Sequence, residues 1–414
     1  MSHQSTSSAH ESTVSWETME AWTRGRIQAF IQMLLEEEVT TVLGRRKSER
    51  RQAVNTPPGY RNGYGKPRRL SLMTGTIAIR RPRLRGLEAR FESRLLPLFK
   101  RRTREVGALL PELYLHGLAQ GDFELALRGL LGAGAPLSRS SIQRLRAKWE
   151  CEYETWRTQD LSDRELVYLW ADGLFVKAGL EKDKAALLVV IGAMRDGTKE
   201  ILAVASGVRE STESWRGVLR ALKERGLSAP KLTIADGHLG IWGALAEVYP
   251  ESAEQRCWNH KLLNVLDQLP RRLQPEAQEL LCRLPYAQTR ADCERLRRQF
   301  AQRYGRTYPK AVAALERDWE RMVTFYHFPR EHWKHLRTTN VVESPFAAVR
   351  LRTDAAKRYK RVANAAALIW KVLMVAQSRF RRLDAPHFLA EVYQGLTYVD
   401  GRRASSERKG RVAA

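Results

Sequence analysis

The chain has 414 residues, and 43% of them are hydrophobic, so it is long enough for one large domain or roughly two to three moderate ones. It carries 71 lysine and arginine residues against 46 aspartate and glutamate residues, and the formal net charge of +25 is the balance expected of a protein that binds a polyanion. The longest apolar run, Ala185 to Met194, is about half the roughly 20 residues that a membrane-spanning helix needs. The composition therefore argues against a membrane protein and favours nucleic acid as the partner.

The first 15 residues are polar and lack the basic start and apolar core of a secretory signal. We therefore expect a disordered tail here and a protein that stays in the cytoplasm. The four cysteines form no C-x-x-C pair, which predicts free thiols in a reducing compartment; they are Cys151, Cys257, Cys282 and Cys293.

Residues 16–54 begin with a helical pattern. Apolar residues recur at helical spacing from Trp16 to Leu43, and Gly44 then offers a helix end. The pattern predicts one or two amphipathic helices, which could form an oligomer interface or equally part of a core. We interpret the basic stretch that follows as a solvated helix end.

Residues 55–104 change character, with turn-forming residues first and then the alternation typical of a short β-ribbon. Pro82 places the end of this ribbon at an edge. Arginines crowd the element, and like charges so close together repel unless an anion neutralises them. With a merely soluble surface as the alternative, we expect contacts to the DNA backbone from Arg61, Arg80, Arg81, Arg83 and Arg85.

Residues 105–160 return to a helical pattern, with a Gly-rich turn before a basic helix. Two helices with a short turn and a basic second helix resemble a helix-turn-helix, although an ordinary helical pair fits the pattern nearly as well. The candidate DNA contacts in this region are Arg139, Arg144 and Lys148.

Residues 161–258 contain three consecutive β-type runs, an amphipathic helix, and then a further strand and helix, which together predict an α/β domain. Residues 259–335 show only helical spacing, so we interpret them as an all-helical insertion between two parts of that domain. Residues 336–399 predict two more helices, and residues 400–414 form a basic tail rich in Ser and Gly.

Two aspartates directly follow apolar strand runs. Asp172 comes after Val167 to Ala171, Asp236 comes after Leu232 to Ala235, and each is followed by glycine. An aspartate at the edge of a buried strand is costly to desolvate unless it is paired or coordinated, so the two positions suggest a cation. In the alternative interpretation, each aspartate only caps the turn that follows it.

A third acid, Glu343, lies three residues after Asn340, as in a capping box in which Asn340 or Thr339 starts a helix. That purely structural role is one interpretation. In the other, Arg350 stands about two helical turns further on, so a single helix would present both side chains on one face. Glu343 would then bind a metal and Arg350 a neighbouring phosphate.

Three carboxylates of this kind can hold two Mg²⁺ ions, one activating the nucleophile and the other stabilising the leaving oxygen of an in-line phosphoryl transfer. Hard oxygen ligands select Mg²⁺, with Mn²⁺ as a substitute, over zinc. Asp172, Asp236 and Glu343 are therefore the candidate catalytic residues and metal ligands.

Four strings occur in an order and at spacings that resemble the Mutator-type bacterial insertion-sequence transposases: LWADGLFVKAG, IADGHLGIWGAL, QRCWNHKLLNVL and RTTNVVESPF. The earlier GYRNGYG, GTIAIRRPRLRG and LYLHGLAQG resemble that family's N-terminal half. The resemblance implies an RNase H-like catalytic domain with a helical insertion, and a triad of Asp172, Asp236 and Glu343. It also implies Mg²⁺-dependent cleavage at terminal inverted repeats and strand transfer to target DNA.

Such a reaction must bring two element ends together, so we expect a homodimer or higher homo-oligomer on DNA, associated with the bacterial nucleoid. Two other functions remain open. One is a catalytically decayed copy that only binds DNA ends, and the other is a different RNase H-like nuclease, such as a resolvase that cuts without joining.

Cys257 and His260 form a C-x-x-H pair within QRCWNHK, which also matches the family. Zinc needs four ligands, and no second pair stands at a convincing spacing. We expect Cys257 to pack and His260 to hydrogen-bond or approach a phosphate near the active site. Trp258 is a candidate for stacking on an extruded base, with core packing as an equal alternative. Pro345, just after Glu343, departs from the family, which more often has polar residues there.

Overall fold

The computed structural model describes residues 15–16, 18–50, 58–119, 121–132, 135, 139–178, 185–207, 211–237, 240–356, 359 and 361–404. The chain divides into two compact units, Met1–Leu145 and Arg146–Ala414. Among the described residues, no helix is long and apolar enough to cross a membrane. The predicted N-terminal tail, apart from Ser15, and residues 405–414 of the predicted basic tail lie outside the described residues.

The first unit combines helices with short strands. Its described elements are α1 (Met19–Leu43), β1 (Tyr60–Tyr64), β2 (Arg68–Leu72), β3 (Gly75–Ile79), β4 (Pro82–Arg85), α2 (Arg104–Leu115), α3 (Phe123–Leu131) and the beginning of α4 (Arg139–Trp156). Strands β2 and β3 form an antiparallel hairpin, and β1 pairs with β4, also antiparallel. The alternating segment thus forms ribbon structure.

A small core joins this ribbon to α1. Leu70, Ile77 and Ile79 pack with Leu35 of the helix, because alternate residues of a strand face the same side. Gln32 adds two bonds to the backbone of Arg80, since its amide nitrogen donates to the carbonyl at 2.9 Å and its amide oxygen accepts from the N–H at 3.1 Å.

Helix α1 has two apolar sides. Its buried side chains are Leu35, Val39 and Leu43. Its exposed apolar side chains include Met19, Trp22, Phe30 and Met33. At 3.6 residues per turn these four exposed positions fall on one side of the helix, away from the buried face. The helical pattern indicates the helix, but it does not reveal which apolar side meets the ribbon.

A five-stranded sheet organises the second unit. Its strands are β5 (Leu166–Val176), β6 (Ala185–Met194), β7 (Lys199–Gly207), β8 (Leu232–Ala235) and β9 (Ala253–Arg256). The order across the sheet is β7-β6-β5-β8-β9. Strand β6 is antiparallel to both neighbours, whereas β5, β8 and β9 are parallel to one another. The prediction of an α/β chain is confirmed.

Strand β9 is an element that the sequence pattern does not predict. Three of its four residues are polar or charged, so they form no apolar run. Gln255 is nevertheless fully buried, because its amide donates to the carbonyl of Met322 at 3.1 Å and accepts from the N–H of Phe325 at 2.8 Å. Hydrogen bonds to the helical segment thus satisfy the polar groups of this strand.

Helices α5 (Thr212–Glu224) and α6 (Ile241–Val248) cover the sheet. Trp215 and Leu219 of α5 and Leu245 of α6 pack with Leu188 and Val190 of β6 in the main core. Strand β6 is buried over nearly its whole length. Its continuous run of apolar residues is therefore that of a central strand covered on both faces.

After β9 the chain is helical through α7 (Trp258–Leu266), α8 (Gln274–Arg283), α9 (Arg290–Tyr304), α10 (Pro309–Glu316), α11 (Trp319–Val323) and α12 (Trp333–Leu336). Residues 259–335 are all described and contain no strand. The remaining elements are α13 (Asn340–Glu343), α14 (Phe346–Ala356), α15 (Val362–Gln377), α16 (His387–Tyr393), β10 (Tyr398–Val399) and β11 (Arg402–Arg403).

The predicted tail does not begin at Asp400. Strand β11 pairs antiparallel with β10, and the carboxylate of Asp400 accepts a hydrogen bond from the N–H of Arg290 at 2.7 Å. Composition alone suggests a disordered tail here, but these contacts hold the first tail residues on the helical segment.

Candidate active site

Two aspartates lie at the same level of neighbouring parallel strands. Strands β5 and β8 pair with Ala171 opposite Ala235, so the next residues, Asp172 and Asp236, come side by side. Strand β8 ends before Asp236, while β5 continues past Asp172. Both aspartates are half-buried, so the sheet brings two carboxylates together at one edge.

The third acid enters on α13, which packs against β5 and β6. The segment before this helix is fastened to the sheet. The indole N–H of Trp170 in β5 donates to the carbonyl of His335 at 2.9 Å, and the backbone N–H of Trp258 donates to the carbonyl of Arg337 at 2.9 Å. These bonds position Glu343 near Asp172.

Thr339 precedes α13, but its side chain does not cap a backbone N–H. Its hydroxyl lies within hydrogen-bonding distance of the Glu343 carboxylate and of Cys257 Sγ, the latter at 3.2 Å. Its N–H also donates to that sulfur at 3.4 Å. The capping-box interpretation is therefore wrong in its geometry, because the N-terminal hydroxyl holds the glutamate instead of the glutamate capping the helix.

The three acids share one electrostatic environment. Burial is the largest cause that raises the pKa of Asp172 to about 7, and the charges of Glu343 and Asp236 act in the same direction. The N–H of Gly173, which donates to Asp172 Oδ1 at 2.8 Å, and the charge of His260 oppose this rise. Glu343 and Asp236 therefore lie close enough to Asp172 for their charges to disfavour its ionisation.

Cys257, His260 and Glu343 form a closer group beside the acids. Their ligand atoms all lie within 4.8 Å of one another, and His260 Nδ1 is 3.9 Å from Glu343 Oε1. Cys257 is the main cause that raises the pKa of His260 to about 9, with Asp236 and Glu343 acting in the same direction and burial opposing it. Among the described residues, Asp172, Asp236 and Glu343 do not form so close a group.

One predicted supporting residue, Arg350, lies elsewhere than expected. Helix α13 ends at Glu343 and α14 begins at Phe346, because Pro345 cannot donate a backbone hydrogen bond inside a helix. Arg350 is therefore an exposed residue of a second helix and does not share a helix face with Glu343.

The prediction that Trp258 stacks on an extruded base is wrong, because Trp258 is only 1% exposed. Its indole N–H donates to the carbonyl of Met322 at 2.9 Å, and its ring meets Trp319 edge-on. The packing alternative is correct.

A buried arginine, Arg256, holds Asp236 in place. Its Nε donates to the backbone carbonyl of Asp236 at 2.9 Å, and its Nη1 pairs with Asp318 at 2.8 Å. Gly237 turns the chain here with φ 78°, and a Cβ at this position would lie 2.9 Å from Arg256 Cδ. Asp318 also accepts from Arg321 at 3.0 Å, so the helical segment braces the loop that carries Asp236. One arginine in so basic a chain carries no sequence signal of this role.

The predicted DNA contacts of the ribbon differ from one another. Arg81, Arg83 and Arg85 line a basic cleft of about 610 Å³, and Arg80 is exposed. We correct the prediction for Arg61, whose guanidinium pairs with Glu36 at 2.9 Å and donates to Thr40 at 2.9 Å. It fastens β1 to α1.

On helix α4, Arg144 and Lys148 are exposed. Lys148 lies 3.5 Å from Glu152 one turn further on, a surface pair of little energetic weight. The side chain of Arg139 lies outside the described part of the chain.

A family model described as "Transposase, Mutator family" matches residues 1–382. The chain belongs to the Mutator family of transposases. It is 45% identical over 294 residues to the transposase for insertion sequence element IS6120 of Mycolicibacterium smegmatis, covering 71% of this chain and 91% of that relative. It is 40% identical over 278 residues to the transposase for insertion sequence element IST2 of Acidithiobacillus ferrooxidans, covering 67% and 94%.

A third relative is the transposase for insertion sequence element ISRM5 of Rhizobium meliloti, 32% identical over 336 residues, covering 79% of this chain and 80% of the relative. These matches confirm the resemblance read from the motifs. A transposase is a DNA-processing enzyme, so DNA is its partner, as the net charge suggests.

We predict that Arg256→Met slows DNA strand cleavage by this transposase by at least about tenfold, because it removes the group that fixes the backbone of Asp236, a candidate metal ligand. It should also lower the free energy of unfolding by about 2–3 kcal/mol, because one partner of a buried ion pair is removed. Single-turnover cleavage and urea unfolding measure the two effects.

Arg321→Met is the matched control, since Arg321 shares Asp318 with Arg256 but makes its other bond to Glu254. It should reduce stability without slowing cleavage. Equal slowing in both variants would show that Arg256 acts through general stability and not through Asp236.

We predict that Asp172→Asn stabilises the metal-free transposase at pH 8. The pKa of Asp172 is raised from 3.8 to about 7 in the folded state. The contribution of this side chain to the free energy of unfolding is therefore fully present below pH 3.8 and is lost as the pH rises through about 7. Asparagine does not ionise, so the variant should be more stable by about 2 kcal/mol at pH 8, allowing for solvent screening, and nearly equal at pH 4. Urea unfolding in EDTA at both pH values measures this, and a less stable variant at pH 8 would contradict the raised pKa.

Proposed function

We propose that this transposase is a DDE enzyme that binds the terminal inverted repeats of its insertion sequence, cleaves the DNA there and joins the ends to target DNA. The observation that carries the proposal is the placement of Asp172 and Asp236 side by side on parallel strands, with Glu343 on a helix packed against the same sheet. Glu343 and Asp236 both lie within electrostatic reach of Asp172, and carboxylates so placed can hold the pair of metal ions that assists phosphoryl transfer.

The strand order supports an RNase H-like catalytic domain. In that fold three antiparallel strands lead into two parallel ones, and the first strand lies at the centre, as β5 does in the order β7-β6-β5-β8-β9. The helical segment from α7 to α12 stands between the strand that precedes Asp236 and the helix that carries Glu343. Its position fits the insertion that the family resemblance implies.

The donor set fits Mg²⁺ or Mn²⁺. Asp172, Asp236 and Glu343 offer hard carboxylate oxygens, and the raised pKa of Asp172 marks a place where a nearby cation would favour the ionised form. Bound at these three residues, two such ions would supply Lewis-acid activation of the attacking oxygen and stabilisation of the leaving oxygen. The Cys257 and His260 pair adds only two softer ligands to a shared glutamate, fewer than a zinc site requires.

The chain's own residues orient this site. Arg256 holds the backbone of Asp236, the N–H of Gly173 holds one oxygen of Asp172, and the Thr339 hydroxyl lies against Glu343. His260 is protonated at neutral pH because its pKa is raised to about 9. A cation at this position attracts the negatively charged scissile phosphate towards the carboxylates.

We predict that Asp172→Asn, Asp236→Asn and Glu343→Gln each abolish cleavage and joining while leaving binding to end DNA within a few-fold. Each change removes one carboxylate charge and keeps the side-chain volume. The measurement uses labelled DNA carrying the inverted repeats that flank the gene, incubated with Mg²⁺ or with EDTA.

Retained cleavage in any one variant would remove that residue from the triad. If the wild-type protein binds the ends without strand chemistry, in Mn²⁺ and with supercoiled target as well, the decayed end-binding function is favoured. Cleavage without joining would instead favour a resolvase-like nuclease.

The exposed apolar side of α1 supports self-association. Met19, Trp22, Phe30 and Met33 share this side, and an exposed apolar stripe on a helix is typical of a protein interface. The reaction requires two DNA ends in one complex, so the partner we propose is a second copy of this chain.

We predict that Phe30→Asp reduces the mass of the full-length protein measured by light scattering, because it places a charge in this stripe. Leu125→Asp is the control, since Leu125 is 69% exposed on α3 in the same unit. The interface would be excluded if Phe30→Asp and Leu125→Asp gave the mass of the wild type, or if the wild type were a monomer with and without DNA.

A further inference from the structure

A cleft of about 630 Å³ in the first unit lies between the starts of two helices. Thr103, Arg104 and Gly107 line it at the start of α2. Ser140 and Ser141 line it from the first turn of α4, and Arg144 lines it from the second turn. The N-terminal end of a helix carries a partial positive charge and N–H groups without helical partners. Two such ends at one cleft favour an anion.

The cleft is also lined by a dense set of cations: Lys100, Arg101, Arg102, Arg104 and Arg144. Within the described residues, none of these five makes an ion pair with a carboxylate. Burial lowers the pKa of Arg102, and the charge of Arg144 lowers it further. Nη1 of Arg102 is buried without a hydrogen-bond partner, which is costly for a charged group unless a ligand provides an acceptor.

The backbone beneath these cations is fixed before any ligand binds. The N–H of Ser71 in β2 donates to the carbonyl of Arg101 at 3.0 Å, and the N–H of Thr103 donates to the carbonyl of Ser71 at 3.0 Å. The guanidinium of Arg68 donates to the carbonyl of Lys100 at 3.3 Å. A segment held at both sides positions its arginines with little loss of entropy on binding.

We propose that this cleft binds one phosphate group of the DNA backbone, with Arg102 and Arg144 as its two principal donors. The proposal rests on DNA being the substrate, as in the proposed function, and adds a defined phosphate site that is separate from the acids. The start of α2 already stabilises one anion, because the pKa of the exposed Glu105 carboxyl is lowered by its own backbone N–H.

The test measures the affinity of the full-length protein for a random-sequence DNA duplex over a range of salt concentrations. The Arg102→Gln/Arg144→Gln double variant should make the slope of log K against log salt shallower by about 0.9, the value for one phosphate contact. Each single variant should reduce the slope by less, because the other arginine still contacts the phosphate. Arg128→Gln, which changes an exposed arginine of α3, should leave the slope unchanged.

A double variant with the slope of Arg128→Gln would overturn the proposal, and a double-variant loss of about 1.8 would replace one site with two separate phosphate contacts. Inorganic phosphate provides a second probe. If it raised the melting temperature of the wild type but not of Arg102→Gln, while the DNA slopes stayed unchanged, the cleft would be a site for free phosphate and not for DNA. Arg144 is exposed, so Arg144→Gln tests the site even if Arg102→Gln fails to fold. The duplex has no terminal repeat, so this binding test does not depend on end cleavage. Altered slopes would support the phosphate site even if the separate cleavage assay refuted the proposed function.

Discussion

Asp172 and Asp236 are brought together by the parallel pairing of two buried strands. Because Ala171 lies opposite Ala235, any change in that register would move the two carboxylates apart. Burial disfavours the ionised form of Asp172 and raises its pKa to about 7. The rest of the second unit holds a third acid, Glu343, and a cationic side chain, His260, close enough for their charges to act on Asp172.

The helical segment after β9 stabilises that arrangement from the other side. It supplies Asp318, which pairs with the arginine that grips the Asp236 loop, and Met322, whose carbonyl accepts the Trp258 indole N–H. Asp318 adopts a left-handed backbone conformation with φ 59°, which aspartate tolerates better than most residues. The helical segment is thus connected by hydrogen bonds to Arg256, which holds the Asp236 loop, and to Trp258, which follows β9.

The parts predictable from sequence are those with a strong local pattern. Long apolar runs indicate β5 and β6, and helical spacing indicates α1 and the segment from α7 to α12. Strand β9 has no such pattern, because long-range hydrogen bonds and not apolar alternation bury Gln255. The roles of Arg256 and Thr339 depend on residues far away in the chain, and Arg61 and Trp258 are ambiguous until their neighbours are known. The sequence motifs single out the three acids, but they do not reveal the hydrogen bonds that orient them.

The most direct test of the account is a titration of the metal-free full-length protein with Mn²⁺, followed by electron paramagnetic resonance. Binding should weaken in Asp172→Asn, Asp236→Asn and Glu343→Gln, and should be unchanged in Asp163→Asn, a control aspartate whose side chain is 71% exposed. Unchanged Mn²⁺ binding in all three variants would contradict the claim that these acids form one cation site.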